Sequence, residues 1–100
     1  MTLPNGYVMQ TTFFEDFSIA DVFGINAVKD TFKRAFKEWK DNIDYVTELA
    51  VALNYKCWQH YEKGNSELSD LYSEYFYKVQ DYVYDHFSGE DIDHYYQITN

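Results

Sequence analysis

Apolar side chains recur every three or four residues through most of this 100-residue chain, and that spacing restricts the fold to helices more strongly than any other feature. Three long segments carry it, at about residues 26–40, 41–63 and 65–87, and Gly64 lies where the second helix would end. Because the breaks between the segments are short, consecutive helices should be antiparallel neighbours. The sequence therefore predicts an all-α fold built on an antiparallel three-helix bundle.

Shorter helices are expected to flank this bundle on both sides. Ser18–Asp21 has the spacing of a capping box, and Gly24 follows at a position suited to a C-terminal glycine. A weaker helical pattern occupies about residues 92–96. Residues 1–10 are predicted to form an extended N-terminal arm, which leaves residues 11–100 as a single helical domain.

Aromatic side chains must supply much of the core, because eleven Tyr, eight Phe and two Trp accompany a modest number of aliphatic residues. The second long segment is apolar on two sides, which is typical of a central helix with neighbours on both. The positions that share the inward faces are predicted to be buried: Phe32, Phe36, Trp39, Val46, Ala50, Leu53, Cys57, Leu71, Tyr75, Val79 and Val83.

Charge is distributed unevenly along the chain. Residues 41–100 contain twelve acidic and three basic side chains, residues 26–40 contain two acidic and five basic ones, and the whole chain has a net charge of −9. Nucleic-acid binding needs Lys and Arg to neutralise phosphates, and anionic membranes repel an acidic surface. We therefore expect no direct contact with nucleic acid or membrane, whereas a protein that normally binds nucleic acid should be attracted.

Five carboxylates of the third long segment project from one side of the predicted helix, interrupted only by Lys78. We call this set the acidic face: Glu67, Asp70, Glu74, Asp81 and Asp85. It spans about 27 Å and presents one charge per about 5 Å, against one per ~3.4 Å along a DNA strand. A single helix is thus too sparse to imitate a duplex, and two helices side by side or a dimer would be needed. The alternative is a solvated face that keeps the protein soluble.

Neighbouring residues extend this predicted surface. Tyr77 and Tyr84 lie beside the acidic face and could anchor a partner, although scattered exposed aromatics are also common. The second long segment carries a similar acidic stripe: Asp41, Asp44, Glu48 and Glu62. The first long segment carries a basic stripe that could pair with the acidic face of a second copy: Lys29, Lys33, Lys37 and Lys40.

No arrangement of residues indicates catalysis. Cys57 and His60 are neighbours on one helix, but Cys57 lies within an apolar face, which predicts an inert structural cysteine. Asp91 and His94 have a ligand-like spacing that occurs only once, too little for a two-metal bundle site. We expect no catalytic residue, metal or cofactor, and hence a protein that is not an enzyme. The single cysteine and the lack of a signal-peptide pattern favour the cytoplasm.

Several runs carry a resemblance: TTFFEDFSIADVFGINAVKDTFKRAFKEWK, then TEL at 47–49, LNYK at 53–56, WQHYE at 58–62, and SGED before DHYYQIT. Over residues 11–100 the chain resembles a group of small uncharacterised acidic proteins encoded by phages and conjugative elements of Gram-positive bacteria. Where those relatives have a Gly-Glu-Glu-Leu-like segment, this chain reads Gly-Glu-Asp-Ile at 89–92. The resemblance transfers no catalytic residue. It implies a genetic context in which small acidic proteins often block host restriction or CRISPR nucleases.

These features favour an anti-defence inhibitor of the anti-restriction or anti-CRISPR type. As an acidic nucleic-acid mimic it would occupy the binding groove of a host nuclease effector. The alternative is a homo-oligomeric adaptor that binds a protein of its own mobile element through aromatic patches, without catalysis. We also expect a homodimer, with an interface that includes Trp58, Tyr55 or the exposed tyrosines.

Overall fold

The computed structural model describes residues 1–99, which form five α-helices and no strand. The all-α class is therefore confirmed. The helices are α1 (Phe13–Phe23), α2 (Ile25–Trp39), α3 (Ile43–Glu62), α4 (Ser66–His86) and α5 (Glu90–Thr99). None of them combines the length and the hydrophobicity that a bilayer-spanning helix requires.

α3 is the central element of the fold, since it contacts each of the other four helices. Every residue from 46 to 53 is buried, so this part of the helix is covered around its whole circumference. Its start is capped by Asn42, whose side chain accepts a hydrogen bond from the Tyr45 amide. The apolar pattern on two sides of the predicted helix is explained by this central position.

α1 begins at Phe13, five residues before the capping box expected at Ser18, and the predicted start is wrong. Phe13, Phe17 and Ala20 form its buried face, with the spacing that an α-helix places on one side. The helix ends at Gly24, as expected. This residue has a φ of 110°, which favours glycine because it has no Cβ, and it lets α2 begin one residue later.

One main apolar cluster joins all five helices. Every residue predicted for the core belongs to it or packs against it, and five of them are only partly buried: Phe36, Trp39, Cys57, Leu71 and Tyr75. Phe32 lies at the centre of an aromatic stack, with ring centroids 3.9 Å from Tyr75 and 5.4 Å from Phe36. The flanking helices add buried rings that the core prediction omitted, namely Phe13 and Phe17 of α1 and Tyr95 of α5.

The N-terminal ten residues, predicted as an extended arm, fold back on themselves. Backbone hydrogen bonds of 2.8 Å run from the Leu3 amide to the Tyr7 carbonyl and from the Met9 amide to the Met1 carbonyl. Leu3 and Met9 are buried in a second, smaller apolar cluster with Val51 of α3. The segment thereby covers one side of the central helix.

Candidate functional site

The acidic face lies along the solvent side of α4. All five of its carboxylates are exposed, whereas the buried residues Ser69, Tyr72, Val79 and Val83 occupy the opposite side of the helix. Among residues 1–99, no ion pair involves a carboxylate of the acidic face. The carboxylates of this row are therefore presented to solvent, where their charge is screened by salt.

The two tyrosines beside the acidic face differ in availability. Tyr77 is 58% exposed and free to contact a partner. Tyr84 is half-buried, with its ring centroid 6.1 Å from that of Tyr95 and 5.8 Å from that of Tyr96. Burial, a hydrogen bond with Tyr96 and nearby negative charge raise the pKa of Tyr84 to about 12. Its main contacts thus join α4 to α5, and the structure does not present the two rings as an equivalent pair.

The acidic stripe predicted on α3 is interrupted, because Glu48 is fully buried rather than exposed. Its carboxylate accepts hydrogen bonds from the Tyr7 hydroxyl at 2.8 Å, the Gln10 amide at 2.9 Å and the Thr11 amide at 2.8 Å. These donors satisfy the buried carboxyl group, which no basic side chain of residues 1–99 approaches to ion-pair distance. Glu48 therefore fastens the N-terminal segment to α3. The other members of the stripe are exposed: Asp41, Asp44 and Glu62.

A buried polar cluster that the sequence reasoning missed joins α1, α3 and α4. One oxygen of Asp21 lies 2.6 Å from Lys56 Nζ and 2.8 Å from His60 Nε2, and its other oxygen accepts the Tyr72 hydroxyl at 2.6 Å. Lys56 is 2% exposed and Tyr72 fully buried. Lys56 and His60 are four residues apart on the side of α3 that also carries Ala52. In the sequence, Lys56 continues the apolar face that includes Ala52. A lysine at such a position predicts a buried acidic partner, and this was the one signal of the cluster that the sequence contained.

The hydrogen bonds of this cluster favour the ionised form of Asp21. Burial alone would raise the pKa of Asp21, but the hydrogen bonds from Lys56, Tyr72 and His60 together hold it below its ordinary value. Burial and the adjacent carboxylate raise the pKa of Tyr72. Asn65 lies 3.4 Å from the second ring nitrogen of His60. The network is consistent with an ionised Asp21 that accepts from every neighbour.

The cluster is poorly arranged for nucleophilic catalysis. Ser18 Oγ lies 3.2 Å from Lys56 Nζ, but the serine hydroxyl donates to the Phe14 carbonyl at 2.9 Å. Lys56 is ion-paired with Asp21 and acts as a donor, so it cannot accept the serine proton as a base. Cys57 contacts Ser69 at 3.6 Å, while both ring nitrogens of His60 have other partners. The contacts of these groups join α1, α3 and α4.

Metal ligation has equally little support in the part of the chain that is described. No group of three or more His, Cys, Asp or Glu side chains within residues 1–99 is arranged to hold an ion. His94 of α5 instead lies 3.0 Å from Asp44 of α3, an ion-pair distance if the imidazole is protonated.

Comparison with known proteins finds no matching family model, no matching curated protein and no matching solved structure. The genetic context implied by the resemblance to mobile-element proteins therefore stays a prediction.

Proposed function

We propose that this protein is an anti-defence inhibitor, of the anti-restriction or anti-CRISPR type, that acts in the cytoplasm without catalysis. The observation that carries the proposal is the acidic face: five exposed carboxylates aligned along a 21-residue helix, with no ion pair among residues 1–99 to neutralise them. Such a row attracts the basic groove with which a nuclease holds DNA or RNA. The host nuclease is the partner, and the protein itself contacts neither nucleic acid nor membrane.

Matching the phosphate spacing of a nucleic acid requires more carboxylates than α4 alone presents. One carboxylate per about 5 Å falls short of the ~3.4 Å spacing of phosphates along a strand. Glu90 and Asp93 add exposed negative charge on α5, and Asp41 of the α2–α3 connection reaches α4 through a hydrogen bond with Tyr82. A homodimer that placed two acidic faces side by side would complete the match. We also propose that α2, α3 and α4 form the antiparallel three-helix bundle expected from their short connections.

The experiment is DNA cleavage by a panel of purified restriction and RNA-guided nucleases in the presence of the protein. Reversing Glu67, Glu74 and Asp81 together to Lys should abolish inhibition, mainly by slowing association. Single alanine variants should have little effect, because each exposed charge contributes little alone. Circular dichroism should find the helix content unchanged.

A matched control reverses three exposed carboxylates elsewhere, Glu15, Glu38 and Glu62, and alters the net charge equally. This control should keep most of the inhibition, because the charges lie outside the acidic face. If the α4 triple variant inhibits as strongly as the wild type, the acidic face is only a solvated surface. The proposal then fails.

A homo-oligomeric adaptor of a mobile element is the second candidate, and a specific observation favours it. Trp58 and Tyr61 of α3 are 55% and 67% exposed, and their rings meet edge to face at 5.6 Å. Large exposed aromatic rings are typical anchors of protein interfaces. Tyr55, also expected at the interface, is half-buried against the small apolar cluster and offers less ring surface to a partner. Light scattering of Trp58→Ala at high concentration tests whether this pair holds two copies together.

A further inference from the structure

The first helix is apolar around more of its circumference than the core covers. Phe13, Phe17 and Ala20 face inward, yet Ile19 and Phe23 are 60% and 78% exposed. Val22 beside them is 82% exposed. α1 therefore has a second, mixed face, on which these apolar side chains lie beside the exposed Glu15 and Asp16. A concentration of large apolar groups on one exposed element indicates a surface that something else covers.

The exposed side of α1 forms one wall of a groove against α2. The groove has a volume of about 600 Å³. Small side chains form its floor, with Ala20 from α1 and Ala27 and Ala35 from α2, while Phe23 and Trp39 are among the larger residues that line it. A second depression shares Phe13, Asp16, Glu38 and Trp39 with it, so the groove continues toward Tyr45. Its alanine floor leaves room for the bulky apolar side chains of another helix.

Charged residues border this apolar floor and give it a net negative rim. Asp30, Arg34 and Glu38 follow one another at four-residue intervals along α2, and Asp16 adds a carboxylate from α1. Three acidic groups against one basic group leave the rim at −2, and the lysines of the basic stripe of α2 are not among the residues that line the groove. α1 is 11 residues long, or about 16 Å, which accommodates roughly three turns of a partner helix.

We propose that the α1–α2 groove binds a cationic amphipathic helix of a partner protein. The apolar face of that helix would lie on the alanine floor against Ile19 and Phe23. Its Lys or Arg side chains would reach the carboxylates of Asp16, Asp30 and Glu38. The inference goes beyond the proposed nuclease inhibition, because no residue that lines the groove belongs to α4.

The test uses a synthetic helical peptide of about 14 residues, with Leu at helical spacing on one face and Lys on the other. Its binding is followed by fluorescence anisotropy, and its location by the amide chemical shifts of the protein. The double variant Ile19→Ser/Phe23→Ser should bind about tenfold more weakly or worse. Asp30→Asn/Glu38→Asn should also weaken binding, with a smaller dependence on salt.

Matched controls separate the groove from the rest of the surface. Val8→Ser and Tyr77→Ser remove apolar groups of similar exposure, 60% and 58%, outside the groove, and should bind as the wild type does. The triple reversal of Glu67, Glu74 and Asp81 should keep groove binding even if it abolishes nuclease inhibition. The two proposals can therefore fail independently. Circular dichroism verifies that each variant is folded.

Several results would overturn the proposal. It fails if Ile19→Ser/Phe23→Ser binds the peptide normally, or if the shifts map to α4. It also fails if a peptide with Glu in place of Lys binds equally well. If the wild type forms a dimer and the double variant is a monomer, the occupant of the groove is a second copy of this chain. If neutral phosphatidylcholine vesicles recruit the wild type but not the double variant, the occupant of the groove is a lipid surface.

Discussion

At the scale of single residues, the partly buried carboxylate of Asp21 connects three helices. It is the only acidic partner of Lys56 among residues 1–99, and Lys56 Nζ is also held by Gln59 Oε1 at 2.5 Å. A buried ion pair adds little to stability compared with an apolar pair, because both charges are desolvated. Removing one partner is costly, since the other charge is then left buried alone.

Replacing Asp21 with Ala should lower the free energy of unfolding by about 3–5 kcal/mol, because Lys56 loses its counter-ion and the Tyr72 hydroxyl loses its closest acceptor. Urea denaturation measures the change. Glu15→Ala, on the exposed side of the same helix, is the control and should alter stability by less than about 0.5 kcal/mol. An Asp21→Ala variant as stable as the control would contradict the importance of the pair.

The stability contributed by Asp21 should depend on pH in a defined direction. The folded state lowers the pKa of this carboxyl, so the unfolded chain binds the proton first as the pH falls. The contribution is therefore complete above the unfolded value of about 3.9 and decreases as the pH falls through the lower, folded value. The stability gap between wild type and Asp21→Asn should narrow as the pH falls below the unfolded value of about 3.9. A constant gap over that range would exclude a lowered pKa.

At the scale of elements, a side chain of α3 determines the position of the N-terminal segment. Glu48 accepts two backbone amides of that segment in addition to the Tyr7 hydroxyl. Leu3 and Met9 bury apolar surface on the same side of the helix. A short hairpin-like segment has little stability of its own, so these contacts must supply it.

Glu48→Ala should release residues 1–11 from α3 while the helices remain folded. The free energy of unfolding should fall by about 1–3 kcal/mol, because the Gln10 and Thr11 amides lose their acceptor. Hydrogen exchange at the Thr11 amide should accelerate most, and the α4 amides should change least. Glu62→Ala, an exposed position on the same helix, is the control. If Thr11 exchanges as slowly as in the wild type, the anchor lies elsewhere.

At the scale of the whole molecule, charge and aromatic surface indicate different modes of association. The net charge of −9 and the acidic face favour an encounter steered by electrostatics, whereas Trp58 and Tyr61 favour a contact driven by apolar burial. Salt distinguishes them because the Debye length shortens from about 10 Å at 0.1 M to about 3 Å at 1 M.

A complex with a nuclease should weaken steeply as salt increases, with most of the loss in the association rate. Surface plasmon resonance at increasing ionic strength measures both rates. A complex formed through Trp58 and Tyr61 should be nearly unaffected by salt and should be lost in Trp58→Ala. Salt-independent binding by the wild type would favour the adaptor over the inhibitor.

Much of the helical framework and of its core could be predicted from the sequence alone. The period of an α-helix is a local property, so the spacing of Phe32, Leu53 and Val79 identified the inward faces of three helices before any packing was known. The solvent side of α4 followed by the same reasoning, since a face opposite the apolar stripe must lie outside.

Contacts between distant segments were decided only by the tertiary structure. Asp21 and Lys56 are 35 positions apart, and a periodic pattern cannot tell whether such charges meet or remain in water. Glu48 looked like a surface residue because its partners belong to the N-terminal segment, which only the folded chain places over α3. The groove beside α1 has the same origin, because the exposure of Ile19 and Phe23 depends on which side of this helix the core covers.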